Sequence, residues 1–404
     1  MIFYFLICQL SFAAKFYAKE NQANRSISYF VEKAQDYDTI FIAKGTYTEG
    51  NIKIDKPLTL IGIDFPVLDG VMQYEMISIA ANNVVIKGLK FINSGKGALD
   101  DPCAIRVYNA SNIVIEGNKF SNNFFGIYIQ EGKNCLIKDN DLEAFGMEEQ
   151  SIGNGIHAWK SDSLQVIGNT IKGHRDGIYF EFVQHSVIWR NKAERNVRYG
   201  LHFMFSNDDA YFTNTFVANG AGVAVMYSKR VVMMNNKFDS NWGDAAYGLL
   251  LKDITDSHIS GNQFVFNTVG ILMEGASRID VNRNLFQNNG WAMKIQASCM
   301  DNNVNNNDFK SNTFDIGTNG SVVMNNFDAN YWDKYEGYDL DKDKKGDVPY
   351  RPLSLYSVII EKNNAAMLLY RSLFITLLDK SEKLFPSITP ENFIDNTPLL
   401  KPIL

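Results

Sequence analysis

From Val84 to Asn330 the chain repeats one short pattern of apolar and polar positions. NIVIEGNKF (112–120), CLIKDNDL (135–142), LQVIGNTI (164–171), RVVMMNNKF (230–238), SHISGNQF (257–264) and RIDVNRNLF (278–286) alternate apolar and polar residues, pass a Gly/Asn pair and close on an apolar residue. A second phrase recurs as NGIHAW (154–159), DGIYFEF (176–182), YGLHFMF (199–205), AGVAVMY (221–227), YGLLLKD (247–253) and VGILMEG (269–275). Its glycine falls at 155, 177, 200, 222, 248 and 270, in steps of 22, 23, 22, 26 and 22. Such alternation predicts short strands, and a fixed period with Asn/Gly corners predicts a solenoid. Leucine-rich repeats share this period, but their fixed Leu positions are absent and strands outnumber helical segments. The pattern predicts an all-β chain, a right-handed parallel β-helix of about eleven coils over 82–330, whose strands pair with the coils above and below at about 4.8 Å.

The flanks read differently. Residues 1–14 (MIFYFLICQLSFAA) are nearly all apolar and end in small residues, the pattern of a secretory signal without its basic start; a buried first strand is the alternative. Residues 15–81 carry a short helical phrase near Tyr29–Ala34, then TIFIAKGTY (39–47) and LTLIGI (58–63), which reads as a cap and the first coils. Beyond Asn330, residues 331–352 form an acidic, aromatic loop, and 353–404 a helical C-terminal extension with helical periodicity over 365–385. That apolar run is broken by Arg371 and too short to span a bilayer, so it packs on the solenoid or on a partner.

Composition sharpens this picture. There are 43 Asn, 36 of them between Asn82 and Asn330, and Asn suits turns and left-handed backbone. No Pro occurs between Cys103 and Val348, as expected where nearly every backbone N–H serves a strand ladder. Net charge is −6 and no long basic run occurs, which gives neither nucleic-acid coating nor an anionic-membrane role electrostatic support. Cys8 would leave with a signal; Cys103, Cys135 and Cys299 remain, too few for a disulfide framework and expected as free buried thiols.

Alternation also assigns faces. After each glycine, the first and third residues point inward: Ile156, Ala158, Ile178, Phe180, Leu201, Phe203 and their successors. The second and fourth point outward, which sets Glu181, Met204 and Met226 in one row with Tyr179 and His202 beside it. Two thioethers and an imidazole suit Cu(I) far better than calcium or magnesium, so Met204, Met226 and His202 form a candidate copper site. The competing reading has these outward residues simply covered by the C-terminal helix. GHRDG (173–177) offers His174, Arg175 and Asp176 on the outer edge of a groove, where a carbohydrate-active lyase or epimerase would bind a uronate. Neighbouring corners add only Arg198, fewer acids and bases than such chemistry needs. Asp176 satisfying corner backbone donors is the simpler role. Asp339, Asp341, Asp343 and Asp347 have the spacing of a calcium loop, with Lys344 where Gly is usual; a solvated acidic turn is the alternative.

GNGIHAW, GHRDGIYFEF, RYGLHFMFS, NGAGVAVMYSKRV, NWGDAAYGLLLKDI, NTVGILMEG and NYWDKYEGYDLDKDKKGDVPYRPLSLYSV together resemble the NosD family of periplasmic nitrous oxide reductase maturation proteins, in order and over nearly the whole chain. The resemblance implies a non-enzymatic, exported periplasmic subunit, held at the membrane through an ABC-type permease and its ATPase. It implies that such a subunit receives copper from a small lipoprotein chaperone and helps assemble the copper-sulfur centre of nitrous oxide reductase. No nucleic-acid partner is implied.

Overall fold

The computed structural model describes residues 13–403 apart from 21, 23–24, 98–100, 147–148, 244–245, 321–323 and 386–392. The secretory-signal segment lies almost wholly outside the described residues. Three parallel sheets of 14, 12 and 13 strands wrap one core in about thirteen turns. One complete coil runs Val187–Trp189, Lys192–Glu194 and Tyr199–Met204, and each strand pairs in parallel with its equivalent one coil away.

The Gly/Asn pair of the repeat makes the first corner. Its first member takes a positive φ, as at Gly117 (63°), Asp139 (51°), Gly168 (67°), Arg190 (56°) and Asn235 (54°). The Asn that follows is buried and does something the composition alone does not reveal. Asn191 Oδ1 accepts from the Asn169 amide at 2.8 Å and from Asn169 Nδ2 at 2.9 Å. Asn191 Nδ2 in turn donates to Asn214 Oδ1 and to the Val166 carbonyl. The same ladder continues through Asn236, Asn262, Asn284 and Asn307 to Asn330. The abundance of Asn therefore reflects buried amide ladders that leave few polar groups unpaired at a closed corner, as much as left-handed turns.

Two residues past each ladder Asn comes the apolar closer, which points into the core. Phe216, Phe238, Phe264, Phe286, Phe309 and Trp332 stack ring on ring, with centroids 5.4, 4.6, 4.9, 4.9 and 4.0 Å apart. The recurring glycines stack as expected, though for reasons of space rather than φ. A Cβ on Gly222 would stand 2.4 Å from the Gly248 carbonyl oxygen, and one on Gly200 2.7 Å from that of Gly222. The inward residues Ile178, Phe180, Leu201, Phe203, Val223 and Val225 are fully buried.

Both ends are closed, as a solenoid requires. Helix α1 (Ile27–Lys33) buries Ile27 and Val31 against the first coils, its N-terminal amides held by Ser26 Oγ and the Glu49 carboxylate. At the far end helix α2 (Leu355–Lys362), a 3-10 turn (Asn364–Leu369) and helix α3 (Leu373–Leu384) leave the coils and return. The C-terminal extension is thus only partly helical. Residues 393–403 form an extended strap, bridged in parallel to Phe327 and Tyr331 and antiparallel to Lys345 and Tyr350. Cys103, Cys135 and Cys299 are free and buried, and burial pushes all three thiols up, Cys135 to about 11.

Candidate metal and docking face

The outer face of the sheet built from the second phrase divides into two halves. Its central column reads Arg106, Tyr128, His157, Tyr179, His202, Ala224, Leu250 and Leu272 on successive coils. From Ala224 to Leu272 the column is apolar, and Tyr356, Ile360 and Ile375 of α2 and α3 pack over it; Lys294 follows on the next coil. Met226 touches this cluster from its edge. Before Ala224 the column is a polar aromatic ladder that these helices do not cover. Ring centroids are 4.3 Å apart for Tyr128 and His157, 4.8 Å for His157 and Tyr179, and 4.9 Å for Tyr179 and His202. The Arg106 guanidinium lies 4.7 Å from the Tyr128 centroid and pairs with Glu75 at 2.8 Å.

The row beside this column is Trp159, Glu181, Met204, Met226, Lys252 and Glu274. Met204 and Met226 are directly opposed on adjacent coils, each half-buried. Next to them Phe182, Phe205 and Tyr227 form an exposed stack with centroids 5.1 Å apart, all at positive φ. His202, by contrast, is turned away from solvent. Its ring leans on Tyr179 and Tyr199, and Nδ1 lies 3.7 Å from Asp176 Oδ2.

Asp176 is fully buried and gripped by Arg198, Nε to Oδ1 at 2.9 Å and Nη2 to Oδ2 at 2.5 Å, while Oδ1 also accepts from the Tyr199 amide. Burial works against its charge, but the His202 imidazole and Arg198 hold its pKa below the ordinary carboxylate range. The corner-satisfying role expected for Asp176 matches this geometry. His174 corrects the sequence reading: it lies inside the coil, 0% exposed, at the position that Asn196 holds one coil on. Burial lowers its pKa to about 4. Buried His174 and Arg198-bound Asp176 are closed to a polymeric substrate. His157 is likewise neutral, pushed to about 3 by burial and the Arg175 charge, and its Nδ1 meets Asn154 Nδ2 at 3.0 Å.

The acidic loop brings together three of its four expected ligands. Oxygens of Asp339, Asp341 and Asp343 lie within 4.8 Å of one another. Asp347 turns instead to the Leu340 amide at 2.6 Å. Lys344, at the position where Gly is usual, adopts a φ of 76°, so the loop takes the required left-handed turn without glycine.

Arg106, Tyr128 and the exposed Phe182, Phe205 and Tyr227 do not stand out in the sequence reading. FGIYIQ (125–130) carries the signal for Tyr128, since its Gly126 and alternation extend the second phrase one coil upstream, and CAIRVY (103–108) places Arg106 in the same column one coil further.

Known proteins bear on this arrangement. Residues 143–337 match the family model described as "Periplasmic copper-binding protein (NosD)". A Pseudomonas aeruginosa protein named as a probable ABC transporter binding protein NosD is 27% identical over 387 residues, 89% of this chain and 87% of that protein. A Stutzerimonas stutzeri protein of the same name is 25% identical over 87% of this chain and 85% of its own length. Among solved structures, the Dettilon tailspike protein gives a TM-score of 0.58 at 14% identity, covering 74% of this chain and 65% of that protein. A Yersinia enterocolitica family 28 exopolygalacturonase gives 0.57 at 12%, covering 78% and 77%. These two likenesses establish the fold alone. The family match contains the Met row and most of the acidic-loop-proximal coils, and the two relatives align over 89% and 87% of the chain: over these residues the chain is similar to the NosD family.

Proposed function

We propose that this chain is a periplasmic, non-enzymatic accessory subunit that assists assembly of the copper-sulfur centre of nitrous oxide reductase. It works docked on an ABC-type permease with its ATPase, accepts Cu(I) from a copper-chaperone lipoprotein, and holds it in transit. The relatives' description as transporter binding proteins supports the docking, and the family's description as periplasmic and copper-binding supports location and cargo. The observation that carries the copper step is the in-register pair Met204 and Met226 on an outer row that α2 and α3 only border. Thioethers select Cu(I) and release it more readily than thiolates. His202 is the third ligand; it reaches the sulfurs by leaving its contact with Asp176.

The Asp339–Asp347 loop binds Ca²⁺ structurally, and its clustered carboxylates and left-handed turn at Lys344 fit that ion. The C-terminal helical excursion supplies the permease contact. Purification of the chain with its genomic neighbours tests the whole reading. Copper in the purified material and copurification with a permease and ATPase are expected, with copurification lost on deletion of α3. Turnover of a uronate polymer by the chain would overturn it.

A further inference from the structure

The excursion formed by the 3-10 turn and α3 turns one face inward and leaves the other uncovered. Ile375 is buried and Leu378 packs beside it on the solenoid. The opposite side presents Leu368 at 90% exposure, Leu373 at 75%, Phe374 at 60% and Leu377 at 55%. Met367, Leu369 and Tyr370 extend the patch. Soluble proteins rarely expose so many large apolar side chains together without a use for them.

The charges around the patch are one-sided. Lys362, Arg371 and Lys380 are exposed basic residues at its border, against Asp379 as the exposed acid. Of the other acids nearby, Glu361 is tied to Lys294, and Glu382 is half-buried with its carboxylate on the Leu355 amide. A chain of net charge −6 thus places a local excess of positive charge around this exposed apolar patch. Arg371 sits at a φ of 62° between the turn and α3, its guanidinium 5.4 Å from the Tyr370 ring. Leu373, Phe374 and Leu377 lie together at i, i+1 and i+4 on α3, and Leu368 and Leu369 extend the patch onto the 3-10 turn.

We propose that the tip of this excursion inserts directly into the headgroup region of an anionic phospholipid bilayer, with Leu368, Leu373, Phe374 and Leu377 in the acyl boundary and Lys362, Arg371 and Lys380 on lipid phosphates. Its location at a membrane rests on the periplasmic, transporter-associated reading; the lipid contact adds to it a second, partner-independent attachment. Apolar side chains beside aromatic and basic ones are the composition of segments that lie in the interface. Among the described residues no helix is long and apolar enough to cross a membrane, so the tip dips without spanning. The extended strap from Phe393 returns the chain to the last coil, so both ends of the excursion are anchored and the tip projects from a fixed base.

The purified chain, without permease, is mixed with vesicles of phosphatidylethanolamine and phosphatidylglycerol at three to one, and with pure phosphatidylcholine vesicles, and followed by flotation. Binding to the anionic vesicles that weakens with salt is expected. The Leu373→Asp/Phe374→Asp variant should bind about 100-fold more weakly, the loss of two side-chain burials. The Lys362→Glu/Arg371→Glu/Lys380→Glu variant should lose the preference for anionic lipid. All these positions are exposed, and circular dichroism checks that the coils persist. In a Phe374→Trp variant, brominated acyl chains should quench emission beyond the wild-type level. Wild-type protein that ignores anionic vesicles would overturn the proposal, whether or not it copurifies with the permease. So would a double-aspartate variant that floats like wild type.

Discussion

Asp395 closes the ladder that Asn330 ends. Its Oδ2 accepts from the Asn330 amide at 2.9 Å and from Asn330 Nδ2 at 3.2 Å, the two bonds each ladder Asn receives from the coil before it. The same oxygen takes the Trp332 indole N–H at 2.9 Å, and Oδ1 takes the Ala329 amide at 3.1 Å. A carboxylate can end the ladder where an amide cannot, because it accepts at both oxygens and carries no N–H that needs a further rung.

Asp395→Ala should therefore cost about 3 kcal/mol, since it leaves several donors buried and unpaired. Asp395→Asn should recover part of that loss. Urea unfolding gives the magnitude. Limited proteolysis should show early cleavage in the strap of the alanine variant, with the central coils still protected.

A second buried carboxylate has the opposite sign. Asp209 is 1% exposed, and its Oδ1 accepts from the Ser186 amide at 2.8 Å, while Oδ2 has no partner among the described residues. Burial pushes its pKa from 3.8 up to about 8, against the Ser186 bond that favours the charged form. The folded state therefore holds a proton that the unfolded state has lost between these values. Its contribution is whole below pH 3.8, shrinks by about 1.4 kcal/mol per pH unit above it, and is gone by about pH 8. Asp209→Asn keeps the acceptor and removes the titration. Its stability should match wild type near pH 4 and exceed it at pH 7 to 8, read as a flatter plot of unfolding free energy against pH. A constant offset between the two curves would show that Asp209 does not carry the slope.

How much of this was legible without coordinates depends on whether a residue's role lies in its own repeat. Gly222, Phe203 and Met204 follow from alternation within one strand, so their faces can be read directly. The roles of Asn191 and Asn214 depend on a neighbour 22 or 23 residues away, and the pattern shows only that Asn recurs. His174 was misplaced because the corner GHRDG is one residue out of step with strand alternation, and its first polar residue falls at an inward ladder position. The cover over Leu250 and Leu272 comes from α2 and α3, whose apolar residues reveal amphipathic helices but not which coils they meet. Asp395 could not be read at all, since nothing local to it resembles a repeat.

The acidic loop yields a test by chelation. Tyr350 and Lys345, on the loop's trailing side, bridge to Asp395 and Leu399 of the strap, so order in the loop should transmit to the strap. With calcium present, the segment after Leu353 should resist protease, and EDTA or Asp341→Asn/Asp343→Asn should expose it while leaving the coils intact. The same cleavage pattern with and without chelator would leave a solvated acidic turn.

Copper passed between proteins in an oxidising compartment needs ligands soft enough to select Cu(I) yet weak enough to release it. Met204 and Met226 meet that demand where Cys103, Cys135 and Cys299 do not, being buried with thiols held above their ordinary pKa. His202 stands two residues from Met204 on the same outer face but rests against Asp176, Tyr179 and Tyr199. The Met pair should accordingly supply most of the affinity, with His202 adding to it. Met204→Ala/Met226→Ala should abolish competition for Cu(I) against a weak chelator, and His202→Ala should weaken it by about tenfold, the worth of one modest ligand at roughly 1.4 kcal/mol. Because both methionines project from the outside of the solenoid, circular dichroism and thermal unfolding of the double variant should stay close to wild type. In cells it should lower the yield of active nitrous oxide reductase. Cu(I) affinity unchanged in the double variant would exclude this site and direct attention to Met300 and Met324, the exposed methionines paired on the last coils.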